Sequence, residues 1–156
     1  MFIAKVVPMS ERHTFFMMIQ GRWWKEFLRR NEEGKETHAY VLRGAAPPKT
    51  TVRILFYVTK PVAEVAGYAE FIERKVEAPE VLWKTNGEES VLNSEQYDEI
   101  VRGADKMSFV RFRNLHKAAK PVPLNDVLMF FSARRLPRRG FYVDKDRGDK
   151  LVAMMS

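Results

Sequence analysis

The sequence predicts an α+β fold in which a small curved sheet or barrel of about six short strands is flanked by three or four helices. Apolar runs of strand length recur along the chain and are separated by breakers such as Pro61 and Gly103. They do not alternate regularly with helical segments, which argues against a doubly wound parallel sheet. The chain has 156 residues, close to the commonest size of one domain, so residues 1–156 are expected to form a single domain.

The N-terminal part is expected to contain one strand and one helix. The run "FIAKVVPM" predicts the strand, and Ser10 is a candidate cap for a helix that reaches at least Gln20. Glycine destabilises a helix interior by about 1 kcal/mol, so Gly21 leaves open whether the helix continues to Asn31 or the chain extends. A continuous helix would have an apolar stripe made of Phe16, Ile19, Trp23 and Phe27.

The middle of the chain is expected to supply three strands. They are Thr37–Gly44, Thr51–Pro61 and Ala63–Pro79, and the second shows the clearest alternation of apolar residues. Gly67 lies early in the third strand, which indicates a β-bulge or a close backbone approach.

The second half is expected to mix short helices with two further strands. Pro79 at a first turn and Gly87 after the last turn predict one helix, and a second helix is expected within Asn93–Gly103, with Ser94 as its cap. The segments "KMSFVRFRNL" and "GFYVDKD" predict strands, and "PLNDVLMFF" between them predicts a helix. The final "DKLVAMMS" fits either type.

Charge is segregated along the chain. Residues 1–60 carry 11 basic and 5 acidic side chains, residues 61–100 carry 3 and 10, and residues 101–156 carry 13 and 5. Such segregation produces an electropositive patch if the two basic segments meet in the fold. The composition, 46% hydrophobic and 30% charged, is that of an ordinary globular protein. The charge pattern favours a polyanion as the partner.

The sequence lacks the residues and motifs that several classes of function require. Cysteine is absent, which excludes disulfides and thiolate metal sites and fits a cytoplasmic location. The three histidines do not have the spacing of a metal site, and no phosphate-binding glycine loop occurs, so no metal and no cofactor are expected. The sequence also has no apolar run of about 18 residues that could span a membrane.

Three clusters combine cations with aromatic rings, a combination that suits phosphate contacts and base stacking. The first is "GRWWKEFLRRN", the second is the strand "SFVRFRN", and the third is "ARRLPRRGFY". Each could instead be a solvated face or turn. The candidate nucleic-acid-binding residues are Arg22, Trp23, Trp24, Lys25, Arg29, Arg30, Arg111, Arg113, Arg134, Arg135, Arg138, Arg139 and Tyr142.

Five segments together resemble an uncharacterised archaeal family of the PUA-like superfamily, whose nearest named groups are ASCH and EVE. They are "KVVPMSERHTFFMM", "WWKEFLRRN", "THAYVLRGAAPPKTT", "FYVTKP" and "RLPRRGFYVDK". The resemblance implies a PUA-like pseudo-barrel with peripheral helices and a cleft beside the first helix. It also implies binding of RNA or of modified nucleotides in a basic, aromatic-lined cleft.

The resemblance also suggests an enzymatic alternative. The ASCH signature GxKxxExR places its glycine on Gly21 and its glutamate on Glu26, whereas its lysine and arginine positions hold Trp23 and Leu28. Only two of the four positions match, so an ASCH-type catalytic arrangement is doubtful. The alternative is a hydrolase of RNA or of a modified nucleoside, with Glu26 as acid/base and Lys25 as the candidate group that holds an oxyanion.

Overall fold

A computed structural model describes residue 8, residues 11–43 and residues 50–156. The secondary structure follows the order β1 (Thr14–Ile19), α1 (Gly21–Glu32), β2 (Thr37–Leu42), β3 (Arg53–Val58), β4 (Glu64–Glu77), α2 (Pro79–Asn86), α3 (Ser94–Val101), β5 (Met107–Pro123), α4 (Leu124–Phe131), β6 (Phe141–Val143) and α5 (Lys145–Met154). The predicted α+β class is confirmed. The predicted first strand lies outside the described residues.

The six strands form one sheet in the order β2-β5-β4-β3-β1-β6. Strands β1 and β3 run parallel, and the other neighbouring pairs are antiparallel. Among the described residues the edge strands β2 and β6 do not pair, so the sheet does not close into a barrel. No helix in this part of the chain is long and apolar enough to cross a membrane.

Both faces of the sheet are buried, as the side chains of β3 show. Ile54, Phe56 and Val58 join a cluster that is covered by α1, while Leu55 and Tyr57 join a second cluster under α4 and α5. Successive residues of a strand point to opposite faces, so a central strand between two layers of helices is apolar throughout. Helix α1 and helix α4 therefore lie on opposite faces of the sheet.

The helix expected from Ser10 to Gln20 is wrong, because Thr14–Ile19 forms the strand β1. This strand lies between β3 and β6 and is buried on both faces, so its apolar run has no alternation that would distinguish it from a buried helix. Phe16 and Ile19 consequently do not belong to a helical stripe. A separate helix, α1, begins at Gly21, and the residues after this glycine are helical rather than extended.

Gly67 lies both at a β-bulge and at a close backbone approach, the two alternatives that a glycine within a strand indicates. The β4–β5 register shifts between Val65 and Gly67, which is a bulge. A Cβ atom at Gly67 would lie 2.3 Å from the carbonyl oxygen of His116 and 2.7 Å from Cη2 of Trp24. Only glycine allows strand β5 and helix α1 to approach this closely.

The other elements follow their predictions with altered boundaries. Helix α3 is capped by Asn93, not Ser94, and the Asn93 side chain accepts from the amide of Gln96 while the Gln96 side chain accepts from the amide of Asn93. Strand β5 continues to Pro123 instead of ending near Leu115. The C-terminal segment, for which both types were open, is the helix α5.

Candidate nucleic-acid interface

The loop between α4 and β6, residues 132–140, presents four arginines to solvent and is called the arginine loop below. Ser132 adopts a left-handed conformation (φ 52°) after the last turn of α4 and directs the chain into this loop. Leu136 packs on the cluster under α4 and α5 and anchors the loop from inside. The exposed arginines are Arg134, Arg135, Arg138 and Arg139. None of them pairs with a carboxylate of the described chain.

Cleft I is a cavity of about 440 Å³ between the arginine loop, the end of β3 and helix α4. Tyr57 and Lys60 approach it from β3, and three loop arginines approach it from the other side. Its residues are Met18, Tyr57, Thr59, Lys60, Leu124, Leu128, Arg134, Arg135, Leu136, Pro137 and Arg138. An apolar floor with cations around it and no carboxylate in the lining suits a planar, anionic ligand.

Tyr57 contributes a polar group to this apolar floor. The side chain is 6% exposed, and its ring packs against Phe16 with the ring centroids 5.8 Å apart. Burial raises the pKa of Tyr57, so its hydroxyl is protonated at neutral pH and can donate a hydrogen bond. Such a donor can hold a phosphate oxygen or a base carbonyl in cleft I.

Cleft II, of about 460 Å³, lies between the ends of the two edge strands, where the sheet stays open. Its residues are Phe15, Met17, Met18, Leu42, Arg43, Arg138, Arg139, Gly140 and Tyr142. Arg43 donates to the carbonyl oxygens of Ile100 and Arg102, at 2.8 and 3.1 Å, which fixes its guanidinium at the rim. Clefts I and II share Met18 and Arg138, so they are neighbours on one surface.

Tyr142 lies in cleft II, where its ring is already in contact with two neighbours. The Phe15 ring is tilted against it at 5.5 Å between centroids, and the Arg12 guanidinium stacks over it at 4.5 Å. These contacts fix the orientation of the tyrosine ring. A base that stacks on this ring would therefore use the side that lines the cleft.

The predicted arginines of strand β5 lie elsewhere and are neutralised. Arg111 forms a bidentate pair with Glu89, at 2.7 and 2.8 Å, and a further ion pair with Glu73. Arg113 pairs with Glu70, its register partner on β4. The acidic segment of the sequence therefore neutralises these β5 arginines, whereas the loop arginines form no ion pair with the residues that the structure describes.

The two tryptophans of α1 belong to the core. Trp23 is 8% exposed and Trp24 is 6% exposed, and both join the cluster on the α1 face of the sheet. The Arg22 guanidinium lies 4.2 Å from the Trp23 ring centroid, and the Trp24 ring packs on Phe56. Neither ring lines cleft I or cleft II, so the structure does not bring these predicted stacking residues to the arginine loop.

The charged residues of α1 mostly pair with one another. Arg29 bonds to both Glu26 and Glu33, and Arg30 bonds to Glu26 and to the carbonyl oxygen of Ser90. The hydrogen bond from Arg29 lowers the pKa of Glu26, so this carboxylate is ionised and stays so well below neutral pH. Glu26 and the exposed Lys25 line neither cleft I nor cleft II, a placement that does not favour them as a catalytic pair.

A third cleft lies at the C-terminal end of α1, where the family resemblance places one. It measures about 580 Å³ and is lined by Asn31, Gly34, Lys35, Glu36, Thr37, Arg113, Asn114, Leu115 and His116. Both charge signs occur there, and Arg113 is engaged by Glu70. It lacks the predicted aromatic residues, so clefts I and II fit the predicted basic, aromatic-lined surface better.

Sequence reasoning missed Tyr57, Lys60 and Arg43 as members of this surface. Tyr57 and Lys60 fall within the predicted strand Thr51–Pro61 and Arg43 falls within Thr37–Gly44, where a strand pattern gives single polar residues no separate binding signal. The available signal was Lys60, which directly precedes Pro61 at the end of the predicted strand. In the part of the chain that the structure describes, no three His, Asp or Glu side chains are grouped to hold a metal ion.

Comparisons with known proteins show relatives of the same fold. No protein-family model matches the chain. An ASCH domain-containing ribonuclease from Zymomonas mobilis is 28% identical over 134 residues, which are 85% of this chain and 88% of that protein. A crystal structure of the Zymomonas ASCH protein, as a serine-to-alanine variant, superposes with a TM-score of 0.79 at 23% identity, over 94% of this chain and 99% of that one.

A more distant structure extends the comparison to another group. Human THYN1, solved in complex with DNA that contains 5-methylcytosine, gives a TM-score of 0.54 at 11% identity over 92% of this chain and 97% of that one. Together with the Zymomonas structures it confirms the predicted PUA-like α+β fold. The archaeal origin stays a prediction.

Proposed function

We propose that this protein binds RNA through the arginine loop and the two clefts beside it. The observation that carries the proposal is the unpaired state of the four loop arginines, which flank two cavities floored by apolar and aromatic side chains. Phosphate contacts from unpaired arginines provide affinity, and concave apolar sites accept unstacked bases. The 28% identical relative is a ribonuclease, which favours RNA over DNA as the partner.

The charge pattern of the sequence predicts an electropositive patch only if its two basic segments come together in the fold. Cations from both segments line clefts I and II. Lys60 joins Arg134, Arg135 and Arg138 around cleft I, and Arg43 lies with Arg138 and Arg139 in cleft II. The binding residues proposed here are therefore Arg43, Tyr57, Lys60, Arg134, Arg135, Arg138, Arg139 and Tyr142. Arg29 and Arg30 of α1 and Arg111 and Arg113 of β5 are assigned to intramolecular pairs instead.

Replacement of the loop arginines tests this proposal against a control that removes a paired arginine. The double variant Arg134→Ala/Arg135→Ala should bind a labelled single-stranded RNA of about ten nucleotides at least about tenfold more weakly, in fluorescence anisotropy at constant salt. The control Arg113→Ala also removes an exposed arginine, but one already paired with Glu70. It should bind within about twofold of the wild type. Equal losses in the double variant and the control would contradict the assignment.

Cleavage of RNA is a second candidate function, and the ribonuclease relative favours it. Attack of a 2′-hydroxyl group on the adjacent phosphorus forms a 2′,3′-cyclic phosphate and breaks the bond to the 5′-oxygen. The hydroxyl proton passes to solvent and the 5′-oxygen receives a proton, while negative charge develops on the phosphate. Tyr57, Lys60 and three of the loop arginines line cleft I together. Tyr57 and Lys60 are the candidate proton donors, and the arginines would stabilise the charge.

Variants of cleft I and of α1 test this second candidate. Tyr57→Phe keeps the buried ring and removes the hydroxyl, and Lys60→Gln removes the charge. Loss of a proton donor typically slows a reaction about 100-fold or more, which a gel assay of end-labelled RNA resolves. Glu26→Gln should leave the rate unchanged, because Glu26 lies outside both clefts. A rate that falls in Glu26→Gln and not in Tyr57→Phe would restore the original acid/base hypothesis.

A further inference from the structure

The arrangement of the arginine loop also defines what kind of RNA the surface fits. Along the loop, Arg134 and Arg135 line cleft I, Arg139 lines cleft II, and Arg138 lines both. The order of the arginines along the chain therefore matches the order of the clefts, from cleft I to cleft II. Met18 of strand β1 is the other residue common to both clefts. Met18 and Arg138 therefore lie at the boundary between cleft I and cleft II.

Each cleft provides the parts of a site for one nucleotide. The volumes, about 440 and 460 Å³, are similar and fall within the range of small-ligand pockets. Cleft I contains Tyr57 and cleft II contains Tyr142, each held against a neighbouring phenylalanine. Each cleft also has arginines of its own. Two similar sites side by side correspond to two successive nucleotides of one strand.

A single phosphate links two successive nucleotides, and a single arginine is common to both clefts. The planar guanidinium of Arg138 can bind two oxygens of one phosphate at once. Arg138 is exposed and forms no ion pair with the described residues, so it does not have to leave another partner. Its position between the clefts matches the position of a linking phosphate between two bases.

We infer that the surface binds a dinucleotide step of unpaired RNA, with one base in each cleft and the linking phosphate on Arg138; this inference rests on the proposed RNA binding. A base within a duplex is stacked and paired, and it enters a cavity only after flipping, which costs a few kcal/mol. The preferred ligand is thus a single strand, a loop or a frayed end. A duplex would contact only the arginines.

Ligand length provides the test. With full-length protein at fixed salt, a 5′-phosphorylated dinucleotide should compete with a labelled RNA at least about tenfold better than a nucleoside monophosphate, because the second nucleotide binds from a tethered position. A third nucleotide should add less than about threefold, and a duplex of equal length should compete at least about tenfold more weakly than the single strand. Competition that improves evenly with every added nucleotide, or equally strong competition by the duplex, would overturn the inference.

Two variants separate the linking arginine from the clefts. Arg138→Ala should abolish the gain from one to two nucleotides while a monophosphate still binds. Arg113→Ala, the paired control, should keep the gain. Retention of the gain in Arg138→Ala would also overturn the inference. If no oligonucleotide binds in a salt-dependent manner, the proposed function itself fails, which is a different outcome from binding without a dinucleotide step.

Discussion

Gly67 lies where strands β4 and β5 and helix α1 come closest together. The space that a side chain would fill is occupied by the His116 carbonyl oxygen and the Trp24 ring. A carbonyl of the sheet backbone cannot move without disturbing the β4–β5 register. The lack of a side chain at this position therefore decides how closely α1 packs on the sheet.

Gly67→Ala should lower the free energy of unfolding by about 3 kcal/mol, the upper range for overpacking, because the nearest obstacle is backbone. The measurement is urea unfolding followed by tryptophan fluorescence. Gly21→Ala is the control, since its Cβ would meet Val58 Cγ1 at an ordinary 3.6 Å. We expect that control to match or exceed wild-type stability. Equal destabilisation of both variants would contradict the steric account.

Glu89→Gln should destabilise the protein by about 2 kcal/mol at pH 7, because it breaks a bidentate, half-buried pair with Arg111. Burial alone would raise the pKa of Glu89, but hydrogen bonds, chiefly from Arg111, lower it to about 2. An unfolded glutamate titrates near 4.3, so the stabilisation is complete above that pH and is lost as the pH falls towards about 2.

The difference between wild type and Glu89→Gln should therefore shrink between pH 5 and about pH 2. Urea unfolding at several pH values measures it. Glu99→Gln is the matched control, because Glu99 and its partner Arg102 are 73% and 74% exposed. That control should change stability by less than about 0.5 kcal/mol at every pH. A constant difference for Glu89→Gln across this range would contradict the proposed pair.

Strand β1 shows what the sequence could predict about an element and what it could not. "TFFMMI" is apolar throughout, and such a run fits a buried strand and a buried helix equally. The segment is a strand because β3 and β6, from distant parts of the chain, pair with it. Strands β3 and β4 were predictable because their β-branched and aromatic residues and their proline and glycine breakers are local signals.

Phe16→Ala tests the placement of β1 in the sheet. Phe16 is fully buried and stacks on Phe141 of the neighbouring strand β6, at 4.5 Å between centroids. Its loss should cost about 4 kcal/mol and lower the melting temperature in circular dichroism. Met129→Ala, at a side chain 77% exposed on α4, should have little effect. A small effect of Phe16→Ala would indicate that β1 is not central.

The candidate site was predictable to the extent that its chemistry is local. The arginine loop combines four cations within six residues, and none of them pairs with a carboxylate in the described part of the chain. Arg29 and Arg30 of α1, in contrast, have acidic neighbours three or four residues away. That spacing on a helix already indicates intrahelical pairs. Tyr57 and Lys60 join the loop only through the tertiary fold, so no local pattern could assign them.

At the scale of the whole molecule, pairing rather than net charge determines where a polyanion can bind. The net charge of +7 includes cations already neutralised by glutamates on the β4–β5 ladder and on α1. Lys60 and the four loop arginines, which form no ion pair with the described residues, lie around two clefts on one side. Affinity for RNA should therefore depend on the few cations at the clefts and not on the net charge of the protein.

The salt dependence of RNA binding measures that number. For a single strand, the logarithm of the affinity falls with the logarithm of salt concentration at about −0.7 per phosphate contact. Lys60 and the four loop arginines share the two or three phosphates within and beside a dinucleotide step, which predicts a slope of about −1.4 to −2. Arg138→Ala should reduce the magnitude by about 0.7, and Arg113→Ala should leave the slope unchanged. A slope steeper than about −3 would mean that the contacted strand extends beyond a dinucleotide step, and a slope of about −0.7 or shallower would mean that no more than one phosphate is bound. Equal changes in both variants would mean that overall charge governs binding.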